Sequence, residues 1–235
     1  MSGVLTLYCN ASRFLELLKG IRYDPTEFVV TSLRSLDPFE LIICIMLSQN
    51  TSDRNAIRAF HELKKRVGVK PEDIVKASVD EIAEAIRVAG LHRQRAQRMK
   101  SLAKIVLEEF KGDLTSICRF SGEEARRILL SLPGVGYKTA DIFLDVVCGF
   151  NFFPIDTHVK RVLGRLGFEG KTYNELALKF TSFFRNIPVD FFQIHLKLIT
   201  IGRRYCKPRR PLCDECVLRE CCRYAHEKTS SPHRK

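Results

Sequence analysis

The stretch "LSLPGVGYKTA", residues 130–140, places Gly134 and Gly136 on either side of one apolar residue, Val135, directly after Pro133. Proline has no amide for a helix interior, so a preceding helix must stop there. Glycine reaches positive φ without a Cβ penalty and lets another backbone come close. A second helix then begins near Tyr137, and its first turn carries N–H groups without intrahelical partners at the positive end of the helix dipole. Helix, glycine hairpin, helix is the reading. Its tip suits a phosphodiester that is held without its bases being read. On these residues alone, a plain corner between two helices with a glycine cap fits as well.

Lys138 falls in the first turn of that second helix, where the dipole disfavours an ammonium. One reading is an amine of lowered pKa, able to act as a nucleophile and form a Schiff base. The other is a solvated lysine that helps to bind phosphate. Eighteen residues on comes "PIDTHVKRVLGRLG", residues 154–167. Asp156 is suited to cap a helix from Thr157. Equally, it is a carboxylate able to stabilise positive charge developing on a sugar, or to relay a proton. His158 reads as a packed or hydrogen-bonded histidine, and Lys160 and Arg161 as phosphate contacts.

Of nine cysteines, Cys9, Cys44, Cys118 and Cys148 are scattered among apolar neighbours and five crowd between 206 and 222. That usage predicts a reducing compartment with a metal site and no disulfide framework. Cys206, Cys213, Cys216 and Cys222 are separated by six, two and five residues. Four thiolates in one loop can bind zinc or a [4Fe–4S] cluster. Zinc sites usually pair two close doublets and here there is one, so the spacing leans to iron–sulfur. Cys221 is a possible substitute ligand. Lys207, Arg209 and Arg210 lie between the first two ligands, on a loop whose ends a metal would fix, which makes a phosphate clamp.

Working outward, the punctuation is helical throughout. Asn10 and Gly20 bracket "ASRFLELLK"; Asp37 and Pro38 open an almost wholly apolar segment, as expected of a central buried helix. Ile57, Phe60, Leu63 and Val67 recur at helical spacing before Gly68. Ser78 with Glu81, and Ser121 with Glu124, form capping boxes. Ala96, Met99, Ala103, Val106 and Phe110 line one face of a longer helix, and further helices fit 157–166, 173–185 and 190–204. No period-two segment stands out, so the fold class is all-α. Residues 226–235 read as a disordered tail.

The chain has 235 residues, 45% of them hydrophobic, and 39 Lys and Arg against 27 Asp and Glu, a formal charge of +12. That excess points to a polyanionic partner. No apolar run reaches the roughly 18 residues of a membrane helix, and "MSGVLTLYCN" lacks the charged and apolar regions of a signal peptide.

Together these motifs resemble the endonuclease III family of DNA glycosylases, in the helix–hairpin–helix superfamily. "LPGVGYKTA" is similar to the family's hairpin and catalytic lysine, "IDTHVKRVLGRLG" to its catalytic-aspartate segment, and the four cysteines to its [4Fe–4S] spacing. All three stand in the family's order, over roughly residues 25–223. The resemblance implies two all-α domains: a six-helix barrel over 25–135, and a cluster domain made of 1–24 with 136–225. It implies Lys138 and Asp156 as catalytic residues and Cys206, Cys213, Cys216 and Cys222 as cluster ligands. It further implies double-stranded DNA with a damaged base or abasic site as the partner of a monomeric chain, and removal of oxidised pyrimidines with strand nicking by β-elimination. Monofunctional relatives lack lysine at the position of Lys138. Two loops resemble the family's duplex-filling elements: "MLSQNTSD" carries Gln49 and Asn50, and "AGLHRQRA" carries Leu91 and His92. Gly134, Val135, Gly136, Thr139, Lys160, Lys207, Arg209 and Arg210 complete the expected DNA contacts. Gln49 and Asn50 depart from the family's alanine and glutamine, and Asp141 and Asp145 from its asparagines. Asp141, three residues past Lys138, is placed to pair with it and also resembles the 8-oxoguanine branch. A glycosylase for oxidised purines or mismatched bases, or a non-catalytic DNA-binding protein, are the other readings. The expected location is the nucleoid region of a prokaryotic cytoplasm, or a nucleus or mitochondrion.

Overall fold

The cap residues legible in the sequence are helix ends in the computed structural model, which describes residues 8–29, 31 and 36–229. Twelve α-helices and several single 3-10 turns are present, with no strand among the described residues. The helices are α1 (Ala11–Lys19), α2 (Pro38–Ser48), α3 (Asp53–Arg66), α4 (Pro71–Lys76), α5 (Val79–Ala85) and α6 (His92–Phe110). They continue with α7 (Gly122–Ser131), α8 (Tyr137–Val146), α9 (Thr157–Leu166), α10 (Tyr173–Ser182), α11 (Phe191–Arg204) and α12 (Arg223–Thr229). Asn10 accepts from the Arg13 amide at 2.9 Å, and Asp37 from the Phe39 amide at 2.9 Å. Both capping boxes close, with the serine hydroxyl on the third helical amide and the glutamate returning to the serine amide.

The chain divides into two compact units: a continuous one, Asp24–Phe152, and a discontinuous one, Met1–Tyr23 with Phe153–Lys235. The boundary expected at 135/136 falls later. Helix α8 packs on α7 and α2, so both helices of the hairpin stay in the continuous unit. The core of that unit is α2, buried without interruption from Leu41 to Leu47. Helices α3, α6 and α8 pack around it.

In the discontinuous unit α9 packs against α11 and α12. Gly202 of α11 allows a close crossing, because a Cβ there would stand 2.9 Å from the Cβ of His158. Phe14 of α1 meets Phe180, Phe183 and Phe184 at centroid distances of 5.9–6.1 Å, and Phe153 and Phe168 close the other side of Phe180. Helix α10, expected to reach 185, ends at Ser182. There the chain tightens so that the Phe184 amide reaches the carbonyl of Thr181 and the ring is buried.

Two expectations are corrected. Residues 226–229 are helical and not part of a disordered tail: His226 stacks on Tyr8 at 4.1 Å, and its Nε2 lies 2.9 Å from the Glu220 carbonyl. The remainder of the expected tail lies outside the described residues. The scattered cysteines are not all free thiols. Cys9 is bonded to Cys221, and Cys118 to Cys148, each with 5.0 Å between Cα atoms. Wide separation in sequence hid both pairs. The first fastens the residue before the N-cap of α1 to the cysteine-rich loop. The second joins the turn before α7 to the end of α8, so it spans the whole hairpin.

A cross-link over a span of this length is worth about 2–4 kcal/mol through the unfolded state. Replacing Cys118 and Cys148 together by alanine is therefore expected to lower the melting temperature by about 5–15 °C. Calorimetry of the oxidised protein checks this. An unchanged melting point would mean that these two cysteines stand reduced.

Candidate active site

The hairpin is built as its sequence dictates at one glycine and differently at the other. Gly134 has φ +82°, the left-handed region that glycine alone enters cheaply. Gly136 has an extended backbone, φ −103°, and nothing stands within 4 Å of where its Cβ would be. Its lack of a side chain keeps the surface open. As N-cap of α8 it also supplies no side-chain acceptor, so the positive end of that helix is uncovered by any cap. Val135 serves the turn itself: its amide donates to the Leu132 carbonyl at 3.1 Å and its side chain is buried.

Lys138, second residue of α8, is half-buried, and Tyr137 before it is exposed. Asp141, one turn on, is fully buried and faces inward to α7. Arg126 donates from Nε to Oδ1 at 2.7 Å and from Nη2 to Oδ2 at 3.0 Å. The Arg126 guanidinium lies between the rings of Tyr137 and Phe152, 5.1 Å from each. The sequence places Asp141 to pair with Lys138; the structure gives it a bidentate partner in Arg126, fifteen positions away and without a sequence signal of that role.

The two expected duplex-filling loops flank the hairpin in the same unit. Gln49 turns its side-chain amide to the Gly134 carbonyl at 3.2 Å and to the Thr139 hydroxyl at 3.5 Å. It braces the turn, and Thr139 is buried beneath it. Asn50 is exposed with φ +54°. Leu91 is 60% exposed with φ +49°, immediately before half-buried His92 opens α6. A large apolar residue held both in solvent and in the left-handed region is strained, and strain of this kind marks functional surfaces. The side chain of Arg98, on the same helix, reaches the hairpin: its Cβ is 3.7 Å from where a Cβ of Gly134 would lie.

The remaining candidates belong to the discontinuous unit. Asp156 is the N-cap of α9, its Oδ1 accepting from the Val159 amide at 2.7 Å, and the residue is half-buried. The capping reading is thus realised, and the carboxylate is fixed in orientation by it. His158 is packed as expected, with burial the main influence lowering its pKa. Lys160 is exposed. Arg161 is not a surface cation: it donates to the carbonyls of Gly202 at 2.9 Å and Cys206 at 2.8 Å, and so ties α9 to the end of α11.

Cys206, Cys213, Cys216 and Cys222 all line one small pocket, with Tyr205, Leu212 and Ala225 among its other walls. They are unpaired, whereas Cys221 is taken by Cys9, which removes it as an alternative ligand. Among the described residues no group of three or more His, Cys, Asp or Glu side chains stands close enough to hold a metal ion. The donor set nevertheless fits one. Burial pushes the Cys216 thiol up to about 11, and the charges of Cys206, Cys222 and Cys213 add to that. Four thiolates in so apolar a cavity need cations among them. Between the ligands, Lys207, Arg209 and Arg210 are exposed, and Arg210 has φ +50°. The loop is held by a residue that sequence reading missed. Arg165 of α9 donates to the carbonyls of Lys207 at 2.7 Å and Pro208 at 3.0 Å, and to the Cys206 sulfur at 3.2 Å. A single arginine late on an amphipathic helix carries no sequence signal of such a role.

Comparison with known proteins gives the same picture. Residues 43–186 match the HhH-GPD superfamily of base excision DNA repair proteins. Endonuclease III of Sulfolobus acidocaldarius is 35% identical over 216 residues, covering 90% of this chain and 94% of that protein. A trapped endonuclease III–DNA covalent intermediate superposes with a TM-score of 0.72 at 26% identity, over 93% of this chain and 94% of the other. A thermostable thymine-DNA glycosylase matches equally well, TM-score 0.72 at 26% identity, over 92% and 94% of the two chains. With its all-helical fold and glycine hairpin, the chain belongs to the endonuclease III family of the HhH-GPD superfamily, and is a base-excision-repair enzyme of the DNA glycosylase/AP lyase class.

Proposed function

We propose that the protein removes oxidised pyrimidines from duplex DNA and nicks the strand through a Schiff base on Lys138. The observation that carries this reading is a half-buried lysine one residue past the open end of α8, on a hairpin suited to gripping the flanking phosphates. The target carbon is out of reach inside a duplex, so the nucleotide is turned out first. Asn50 and Leu91 fill the gap it leaves, the leucine as an apolar wedge that kinks the helix. The neutral Lys138 amine attacks C1′, the C1′–N bond breaks, and the base departs with the electron pair and a proton. The secondary amine then opens the sugar ring to the protonated Schiff base. That cation acidifies the C2′ proton, whose loss expels the 3′ phosphate. Asp156 stabilises the positive charge at C1′ and relays protons.

Cys206, Cys213, Cys216 and Cys222 would hold a [4Fe–4S] cluster, whose role is to fix the basic loop, outside the chemistry at Lys138. Lys207, Arg209, Arg210 and Lys160 then meet backbone phosphates, as do the hairpin amides of Gly134 and Gly136. The protein works as a monomer on DNA with a damaged base or abasic site, in a nucleoid-containing cytoplasm or in an organelle or nucleus that holds DNA. Among the described residues no helix is long and apolar enough to cross a membrane. The likeness to a thymine-DNA glycosylase supports a second reading, mismatched thymine as substrate.

Four measurements test this. Borohydride added to the protein with abasic-site DNA is expected to give a covalent complex that Lys138→Gln abolishes. No complex with the unaltered protein removes the lyase chemistry. A panel of lesion duplexes then ranks thymine glycol against mismatched thymine. The protein purified without oxygen is expected to be brown and to lose its visible absorption on Cys213→Ser; a colourless protein with one bound zinc would select the other metal. Replacing Arg209 and Arg210 with alanine should weaken binding to all sequences alike and reduce the salt slope by about two, one for each phosphate contact. Unchanged affinity would take the loop out of the interface.

A further inference from the structure

Arg95 is buried, with 6% of its surface exposed, and its guanidinium donates to three main-chain carbonyls at one helix end. Nη1 donates to the carbonyls of Met46 and, at 2.9 Å, of Leu47; Nη2 donates to that of Gln49. These carbonyls stand at the end of α2, where the helix dipole is negative and favours a cation; that of Met46 also accepts from the Gln49 amide at 3.4 Å. The next residue along is Asn50. Arg95 itself stands four residues after Leu91, the N-cap of α6, whose carbonyl accepts the ordinary helical bond from the Arg95 amide at 3.0 Å. Its side chain therefore ties the helix that begins at Leu91 to the segment that leads into Asn50, and both of those residues are exposed at positive φ.

Burying a guanidinium is costly, and here burial and the neighbouring charge of Arg98 both depress its pKa. Nε has no hydrogen-bond partner at all. The arrangement is not explained by satisfying the arginine, since a smaller apolar residue would fill the space between α2 and α6 at less cost. It is explained by what the arginine holds. Backbone in the left-handed region persists at non-glycine residues only where surrounding structure over-determines it. Three carbonyls at diverging angles call for a planar fork, which lysine does not offer.

We propose that Arg95 is a positioning residue that keeps Asn50 and Leu91 in register, so that the two enter the duplex together when a nucleotide is turned out. This rests on the reading of the protein as a base-flipping glycosylase. Arg95 touches no substrate atom and acts only through the two loops.

The test uses the full chain and a duplex with 2-aminopurine beside a tetrahydrofuran abasic analogue, whose fluorescence rises as the stack opens. Arg95→Lys keeps the charge and loses the fork. At saturating protein it is expected to give less than half the fluorescence rise of the unaltered protein, and kcat for excision of a damaged base is expected to fall about tenfold with KM changed less than twofold. In an Asn50→Ala/Leu91→Ala background, the same Arg95→Lys change is expected to cost less than twofold, because the segments it positions are gone. A merely structural role would lower the melting temperature and leave both the kcat and the fluorescence of the folded fraction alone. Equal fluorescence and kcat in Arg95→Lys, or a full tenfold cost in the doubly substituted background, would overturn the proposal. Absence of any borohydride-trapped complex with the unaltered protein would instead overturn the functional reading beneath it.

Discussion

The bidentate bond between Arg126 and Asp141 joins the two helices of the hairpin inside the core, and the geometry of the hairpin depends on it. Both groups are buried, Asp141 completely. Charges in such a place are not there for stability alone, since well-packed apolar residues often do as well. Removing one partner is a different matter and costs about 3–5 kcal/mol, because the other is left buried and unpaired. Two N–H···O bonds in a plane fix distance and rotation together. Arg126 also stacks between Tyr137 and Phe152, so the first turn of α8 is held from beneath. At the far end Cys118 and Cys148 close the pair of helices covalently. Glycine shapes the tip, an ion pair sets the middle and a disulfide limits the base.

The cysteine-rich loop is constrained on the same plan, by contacts of several kinds acting on a short segment. Arg165 holds the carbonyls of Lys207 and Pro208, Arg161 holds that of Cys206, and the Cys9–Cys221 bond fixes the far end. Arg13 of α1 adds an ion pair with Glu220 beside that bond. Three exposed basic residues on a loop so restrained lose little further freedom on meeting phosphate, which favours binding. Four unpaired thiols line one pocket beside that loop.

The helices were legible because their ends are local. Asn10, Asp37, Ser78 and Ser121 each bond an amide two or three residues away, so the signal and the structure occupy the same few positions. The hairpin was legible for the same reason, down to the positive φ of Gly134. What the sequence hid is pairing over distance. Cys9 with Cys221, Arg126 with Asp141 and Arg95 with the end of α2 join residues that only the finished fold brings together. The boundary between units was misjudged for a related reason: α8 looks like the start of a new segment after a turn, yet its apolar face packs on α2. Asp156 shows the converse case. Its cap is local and plain, while any catalytic part it plays is not written in its neighbours.

Asp141 also stands one helical turn from Lys138. Residues three apart on a helix are neighbours, and opposite charges at about 4 Å attract by about 4 kcal/mol in surroundings of intermediate polarity. A bare carboxylate at that position would favour the ammonium form and blunt a nucleophile. Arg126 supplies a guanidinium to both of its oxygens, so α8 receives a balanced pair in place of an anion.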